Sequence, residues 1–259
     1  MKLVIKIGGA ALDDRQLVGT FARTIPSLMR EGHKLVIVHG GGAALSRTLK
    51  QLGCETTFVN GLRVTDSQTR DVAMMVLAGQ LNKQLVAAIG EAGQPALGIC
   101  GGDLRLVLAS KKKQPDLGYV GEVCAVDVQW IERLWAAGVV PVISSLALGL
   151  DGEYYNVNAD QMASACAVAC GAQALIYLTD VTGVKDAEGT VIRWLGVNAI
   201  GEMVEQATVS GGMLPKLQAC MSALKKGVKR VRILPASCAE VLPGFFTQPI
   251  DHGTEVIAS

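Results

Sequence analysis

The sequence predicts an α/β fold, and three observations carry that expectation. Apolar runs of strand length alternate with helix-period segments along most of the 259 residues. Several of the short runs are continuous Val, Ile and Leu, the pattern of parallel strands covered by helices on both faces. Half of the residues are apolar, 18% are charged and mean hydropathy is +0.35, which supplies a large core and excludes a disordered chain.

Taken in order, strands are expected at 3–7, 35–39, 96–100, 106–109, 139–144, 175–179 and 231–234. Helices are expected at 14–30, 43–52, 66–92, 128–137, 160–170, 199–207 and 215–226, with Pro26 kinking or restarting the first of them. Segments 55–64, around Asn60-Gly61, and 118–126 read as hairpins outside the main sheet, where hairpins often serve as lids. After Asp151-Gly152-Glu153 the chain restarts with its own βα units, which places a boundary between two lobes, 1–160 and 161–259.

Charge and composition exclude several classes of function. Lys plus Arg number 24 against 23 Asp plus Glu, a net charge of +1, so no field draws the chain to nucleic acid or anionic lipid, and a small-molecule ligand is the better expectation. The longest charge-free apolar stretch, 162–178, is short and holds Ser164, Gly171 and Gln173; it reads as a buried helix turning into a buried strand, so no membrane span is expected. Near the N-terminus only three consecutive apolar residues lie between Lys2 and Lys6, too few for a secretory core, and a cytoplasmic location is expected. The seven cysteines are scattered without a C-x-x-C pair and the three histidines lie far apart, which argues against structural zinc and a disulfide framework. Cys166 and Cys170 share a helix face, and burial in an Ala-rich helix explains them more simply than a metal.

Six places carry chemistry. Lys6 stands near the carboxyl end of an apolar strand and is followed by Gly8-Gly9, where an ammonium needs an anion and glycine lets backbone approach one. His39-Gly40-Gly41-Gly42 leads from a strand directly into a helix, a cradle of amides at the positive end of a helix dipole. The third glycine of a dinucleotide fingerprint is missing, and no G-x-x-x-x-G-K-[ST] occurs, which disfavours a nicotinamide dehydrogenase and a P-loop ATPase. Arg63, after the Asn60-Gly61 turn, offers a planar fork suited to a carboxylate. Asn156, Asn158 and Asp160 cluster just before a charge-poor helix, where Asp160 is open to a capping role. Asp180 follows a strand and opens the loop Val181-Thr182-Gly183-Val184-Lys185, the place for a nucleotide in the second lobe. Gly211-Gly212-Met213-Leu214-Pro215-Lys216 opens a helix with a cation set against the local dipole, a misplacement that a bound anion would relieve. Lys111, Lys112 and Lys113 read as a solvated turn.

In this order, Lys6-Ile7-Gly8-Gly9, Val36-Ile37-Val38-His39-Gly40-Gly41-Gly42, Asn60-Gly61-Leu62-Arg63-Val64-Thr65, Tyr155-Asn156-Val157-Asn158-Ala159-Asp160, Thr179-Asp180-Val181-Thr182-Gly183-Val184 and Gly211-Gly212-Met213-Leu214-Pro215-Lys216 resemble the acetylglutamate kinases of the amino acid kinase family, over essentially the whole chain. The resemblance implies a three-layer αβα sandwich with a mainly parallel sheet in two lobes. It implies ATP-dependent phosphorylation of the γ-carboxylate of N-acetyl-L-glutamate, the second step of arginine biosynthesis, with ATP as co-substrate and Mg2+ bridging its phosphates. It further implies that Lys6 and Lys216 stabilise the transferring phosphoryl group, Asp160 orients the lysines, and Gly8, Gly9, Gly41 and Gly42 supply amides. Arg63 and Asn156 would hold the acyl amino acid with Asn158 nearby. Residues 180–185 and 208–216, Gly211, Gly212 and Met213 among them, would line the nucleotide site. Acetylaminoadipate-type kinases differ mainly around the lid and Arg63, and a non-catalytic amino-acid-sensing relative is the alternative from another class. Met1 lies almost at the first strand, so the helix that interlaces dimers into hexamers in arginine-inhibited relatives is not expected. A homodimer joined through the long helix at 66–92 is.

Overall fold

The run Lys-Leu-Val-Ile-Lys-Ile becomes strand β1 (Lys2–Ile7), paired with parallel strands on both edges, and five of its six side chains are buried because helices cover both faces of the sheet. The computed structural model describes residues 1–205, 211–248 and 250–258. After β1 come helices α1 (Gly9–Leu12) and α2 (Arg15–Arg30), strand β2 (Lys34–His39), helix α3 (Gly42–Gln51) and the hairpin of β3 (Phe58–Val59) and β4 (Leu62–Arg63). A long helical rod follows: α4 (Ser67–Ala73), a π-helical stretch (Met74–Leu81) and α5 (Asn82–Glu91). Next are β5 (Ala96–Ile99), β6 (Val107–Lys111), β7 (Val120–Val126), α6 (Val128–Ala136), β8 (Val140–Ser144), β9 (Leu146–Gly149) and β10 (Tyr154–Val157). The remaining described elements are α7 (Ala159–Cys170), β11 (Ala174–Thr179), β12 (Trp194–Gly196), α8 (Val197–Glu205), α9 (Met213–Lys225), β13 (Arg230–Pro235) and β14 (Thr254–Ile257).

Eight strands form one sheet in the order β12-β14-β13-β11-β1-β2-β8-β5, parallel throughout except between β13 and β14. The strands before residue 160 occupy one half and those after it the other, meeting where β1 pairs with β11. Helices α6 to α9 cover one face and α2 to α5 the other, giving the expected three layers. Strands β10, β7, β6 and β9 close into a separate small barrel.

Two expectations need correction. Segment 118–126 is not a hairpin in itself: it is the single strand β7, whose antiparallel partner is the earlier β6. Pro26 does not break α2, which runs through it, because Phe21, Ala22, Ile25 and Leu28 bury a whole face whose packing outweighs one lost backbone bond. The rod Ser67–Glu91 is long and apolar enough, by length and composition, to cross a membrane. Its Val76, Leu77, Leu81, Leu85 and Ile89 are packed into the core beneath the sheet. Strands β9, β10, β12 and β14 and the one-turn α1 were not expected. The remaining strand and helix positions agree within a few residues, and the final two positions of the helix expected at 199–207 lie outside the described residues.

Candidate active site

Strand periodicity decides which side chains meet. In β1, Leu3, Ile5 and Ile7 enter the core under α2 to α5, while Val4 enters the core under α6 to α9. Alternation sends Lys6 to the Val4 face, and Tyr177, its register partner on β11, lies there too. Helices α7 and α9 cover that face and deliver Asp160 and Lys216. Asn158, rather than Asp160, caps α7, its Oδ1 accepting from the amides of Asp160 at 2.9 Å and Gln161 at 3.2 Å. Asp160 is thereby free to serve the lysines. Its Oδ2 accepts from Lys216 Nζ at 2.9 Å, and its Oδ1 lies 2.9 Å from Lys6 Nζ, an ion pair without hydrogen-bond angles.

All three groups are buried, with exposures of 8% for Lys6, 6% for Asp160 and 6% for Lys216. Burial alone would raise the Asp160 carboxyl, but the ammonium groups of Lys6 and Lys216 outweigh it and hold the carboxyl at about 2. Burial draws Lys6 below the ordinary lysine range, and Lys216 adds to the lowering that Asp160 opposes. Two cations against one carboxylate leave an unmatched buried positive charge, the complement of an incoming anion. Tyr177, which sequence reasoning missed, supports the group: its hydroxyl donates to the Asp160 carbonyl at 3.2 Å, and Lys216 Nζ sits 5.2 Å from its ring centroid.

A cavity of about 200 Å³ opens beside the ion pair, lined by Lys6, Asp160, Gly9, Gly40, Gly41, Gly42, Arg63, Asn156 and Asn158, with Phe58, Leu77 and Ser145 as unanticipated walls. Arg63 Nη2 donates to Gly42 O at 3.1 Å and Ser46 Oγ at 2.7 Å, and its guanidinium stacks 4.6 Å from the Phe58 ring centroid. Its Nη1 is buried without a partner, a cost that an anionic ligand would remove. Asn156 Nδ2 donates to Thr65 Oγ1 at 3.3 Å. Asn158 reaches the wall, but its Oδ1 is committed to the cap.

The glycines divide in function. The Gly8 amide, expected to face an anion, is spent on Leu178 O at 2.8 Å and extends the β1–β11 ladder. Gly9 permits close approach: a Cβ there would lie 2.9 Å from Gly42 N and 3.1 Å from Gly41 N. Those two amides belong to the first turn of α3, where no intrahelical acceptor exists. Gly61, at φ +79°, turns the β3–β4 hairpin so tightly against the start of α9 that a Cβ would meet Gly211 O at 3.2 Å.

The residues expected at 180–185 and 211–213 to line a nucleotide site stand outside this cavity. Asp180, Val181, Thr182 and Lys185 are exposed in the loop after β11, whereas Val184 is a core residue whose amide donates to Thr254 Oγ1 at 2.9 Å. Gly183 is buried, and a side chain there would crowd Val191 and Thr254. Gly211 and Gly212 are exposed and Met213 half-buried at the start of α9. Residues 208–210, also assigned to the nucleotide, lie outside the described residues. A larger groove of about 410 Å³ between β7, α7 and α9 has only exposed charges, Glu122 and Lys226, and no buried ion pair. Among the described residues no three His, Cys, Asp or Glu side chains gather as a metal site.

Comparison with known proteins places the chain in a family. The amino acid kinase family model matches residues 1–235. Acetylglutamate kinase from Koribacter versatilis is 60% identical, with both chains covered in full, and that from Acidobacterium capsulatum is 56% identical, also over both full chains. Among solved structures, a Streptococcus mutans protein superposes with a TM-score of 0.87 at 30% identity, covering 100% of this chain and 99% of that one. N-acetylglutamate synthase from Neisseria gonorrhoeae, solved with coenzyme A and N-acetyl-glutamate, also reaches 0.87 but at 24% identity and over 59% of its own length, a likeness of fold. The chain belongs to the amino acid kinase family. Within that family, its relatives at 56–60% identity are acetylglutamate kinases.

Proposed function

We infer that this chain is an acetylglutamate kinase, phosphorylating the γ-carboxylate of N-acetyl-L-glutamate in arginine biosynthesis, as its full-length relatives' shared name implies. The observation that carries the reading of the site is the buried Lys6–Asp160–Lys216 group beside a cavity holding the unpartnered Arg63 Nη1. A non-catalytic sensing protein would have no use for two buried ammonium groups around one carboxylate, which are costly to maintain without an anionic ligand.

In the reaction we propose, a γ-carboxylate oxygen of the substrate bonds to the terminal phosphorus of ATP as the bond to ADP breaks. Two anions must meet, so the chain's work is positioning and charge neutralisation. Arg63 and Asn156 hold the acyl amino acid in the cavity, and the Gly41 and Gly42 amides with Lys6 receive the transferring group. Lys216 reaches that group from the second lobe, while Asp160 holds both lysine side chains in place. The loop 180–185 and the start of α9 take the nucleotide. Mg2+ would be carried in with the nucleotide and would supply neutralisation of phosphate charge there.

ADP release measured with N-acetyl-L-glutamate and with N-acetyl-L-aminoadipate tests the substrate. Turnover that prefers the longer acid would replace this reading with the aminoadipate one. Arg63→Lys keeps the charge but loses the fork. It is expected to raise KM for acetylglutamate about tenfold or more, with KM for ATP nearly level. An equal rise for both substrates would instead make Arg63 a support of the lid.

For assembly we propose a homodimer through the outer side of the 67–91 rod, where Met75 is 67% exposed, together with the neighbouring edge strand β5, where Leu97 is 42% exposed. Light scattering should give twice the chain mass, and Met75→Glu should lower it. A monomer mass for the unmodified chain would remove the proposal.

A further inference from the structure

On the face of the sheet opposite Lys6, a line of buried polar groups ends at the glycine loop, and the mechanism above does not use it. In β2, Leu35 and Ile37 enter the core under α2 to α5, and alternation sends His39 the same way, where it is fully buried. Its Nδ1 lies 2.8 Å from Gly40 O and its Nε2 lies 3.0 Å from Nδ2 of the equally buried Asn82. That amide also donates to Val142 O at 3.0 Å, and Asn82 Oδ1 accepts from Lys83 Nζ at 3.1 Å. A carbonyl only accepts, so the ring proton is on Nδ1, and a neutral ring leaves Nε2 to accept from Asn82. Burial keeps the ring neutral, pulling its pKa down to about 4. The line thus has one consistent direction, from Asn82 through His39 to the Gly40 carbonyl.

A peptide unit is planar and trans, so a carbonyl held toward His39 turns the Gly41 N–H the opposite way. Gly41 N lies on the side facing Gly9, at the cavity wall. Behind Gly41, Leu77 and Leu81 of the π-helical stretch leave no room: a Cβ there would overlap Leu81 and come 2.6 Å from Leu77. Gly40 is wedged from another side, with Ala159 Cβ 3.2 Å from where its own Cβ would be. Three successive glycines have little orientation of their own, and a hydrogen bond from a fixed ring supplies it.

We propose that His39, locked by Asn82, is a positioning residue that aims the Gly41 N–H at the transferring phosphoryl group. The inference rests on reading the Gly40–Gly42 loop as the phosphoryl cradle, and it adds a device that reaches the site from the far side of the sheet.

His39→Leu removes the donor, His39→Asn puts an amide N–H near the place of Nδ1, and Asn82→Leu frees the ring to take the other tautomer. With folding checked by thermal melting, His39→Leu is expected to lower kcat about 10- to 100-fold, as when one preorganised donor is lost. KM for both substrates should stay within about threefold, because the donor acts on the developing charge rather than on ground-state binding. His39→Asn should recover most of the turnover, and Asn82→Leu should fall between. A folded His39→Leu with normal kcat, or an Asn variant no better than Leu, would overturn the proposal. If His39→Leu does not fold, Asn82→Leu decides alone, and an unchanged kcat there overturns it. Lys216→Ala run in parallel separates the two levels. If it too is fully active, the reading of the site has failed; if it is impaired while His39→Leu is normal, the role given to His39 alone has failed.

Discussion

Replacing Lys216 by alanine is expected to lower turnover by about 100-fold or more, with KM for ATP and acetylglutamate changed much less. The Lys216 ammonium is 6% exposed, 2.9 Å from Asp160 Oδ2 and held over the Tyr177 ring, so its position is fixed before any ligand arrives. A charge fixed in a water-poor site does not reorganise as the phosphoryl group moves, and its whole contribution appears in the transition state. Removing it also relieves the crowding of two cations around one carboxylate, so the variant should remain folded. Steady-state kinetics at saturating ATP and magnesium, with a melting curve for the variant, make the measurement. Turnover near the unmodified rate would remove Lys216 from the chemistry.

Asp160→Asn should have the opposite balance, with stability suffering most. The substitution leaves Lys6 and Lys216 buried together without a counter-charge, the kind of change that costs about 3–5 kcal/mol. In the unmodified protein the carboxyl, held at about 2, lies below its unfolded value. Its contribution is therefore complete above an unfolded pKa of about 4 and is lost only as pH falls toward 2. In the variant the lysines govern. Lys6, already drawn below the ordinary lysine range by burial, loses the group that opposed the lowering, so the unfolded chain binds more protons at alkaline pH than the folded one. Stability must then rise with pH from the lowered lysine value up to the unfolded one. Melting temperatures of Asp160→Asn should climb as pH rises toward the unfolded lysine value of about 10, and the alkaline fall of kcat should move to lower pH. A melting profile parallel to that of the unmodified protein at every pH would mean that the carboxylate does not control the lysines.

Much of this arrangement is legible in the sequence because it breaks local rules. A lysine in an apolar strand, three glycines in a row and a cation at a helix start are each unfavourable unless something else is present, and Lys6, Gly40–Gly42 and Lys216 converge in space. What was hidden depends on register and on non-local pairing. Tyr177 sits in the run Leu-Ile-Tyr-Leu and reads as core; only the pairing of β11 with β1 puts it opposite Lys6. His39 reads as the end of a strand, and its partner Asn82 lies in an ordinary helical stretch. Asn158 and Asp160 are both good caps by composition, and only the coordinates assign the cap to the first and the ion pair to the second. Strand β7 looked like a hairpin because its partner, β6, precedes it in the chain. Pro26 misled because local propensity yields to a buried helix face.

The seam between β1 and β11 also bears on the order in which the molecule is made. The Lys2 amide bonds to Gln173, 171 positions along the chain, whereas the other neighbour of β1 is the nearby β2. Loop closure over such a span is entropically expensive, so this pairing belongs to the slow, high-contact-order part of folding. During synthesis from the N-terminus, the first half-sheet carries β1 as a bare, apolar edge until β11 has emerged, an open template for pairing with another chain. Asp160 becomes available before that edge is covered, and Lys216, 56 positions later, only after it. The half-sheet that carries Lys6 and leads into the Gly40–Gly42 loop is therefore made well before Lys216 can complete the buried ion pair. Chaperone protection is needed most in the interval before β11 emerges to cover that edge.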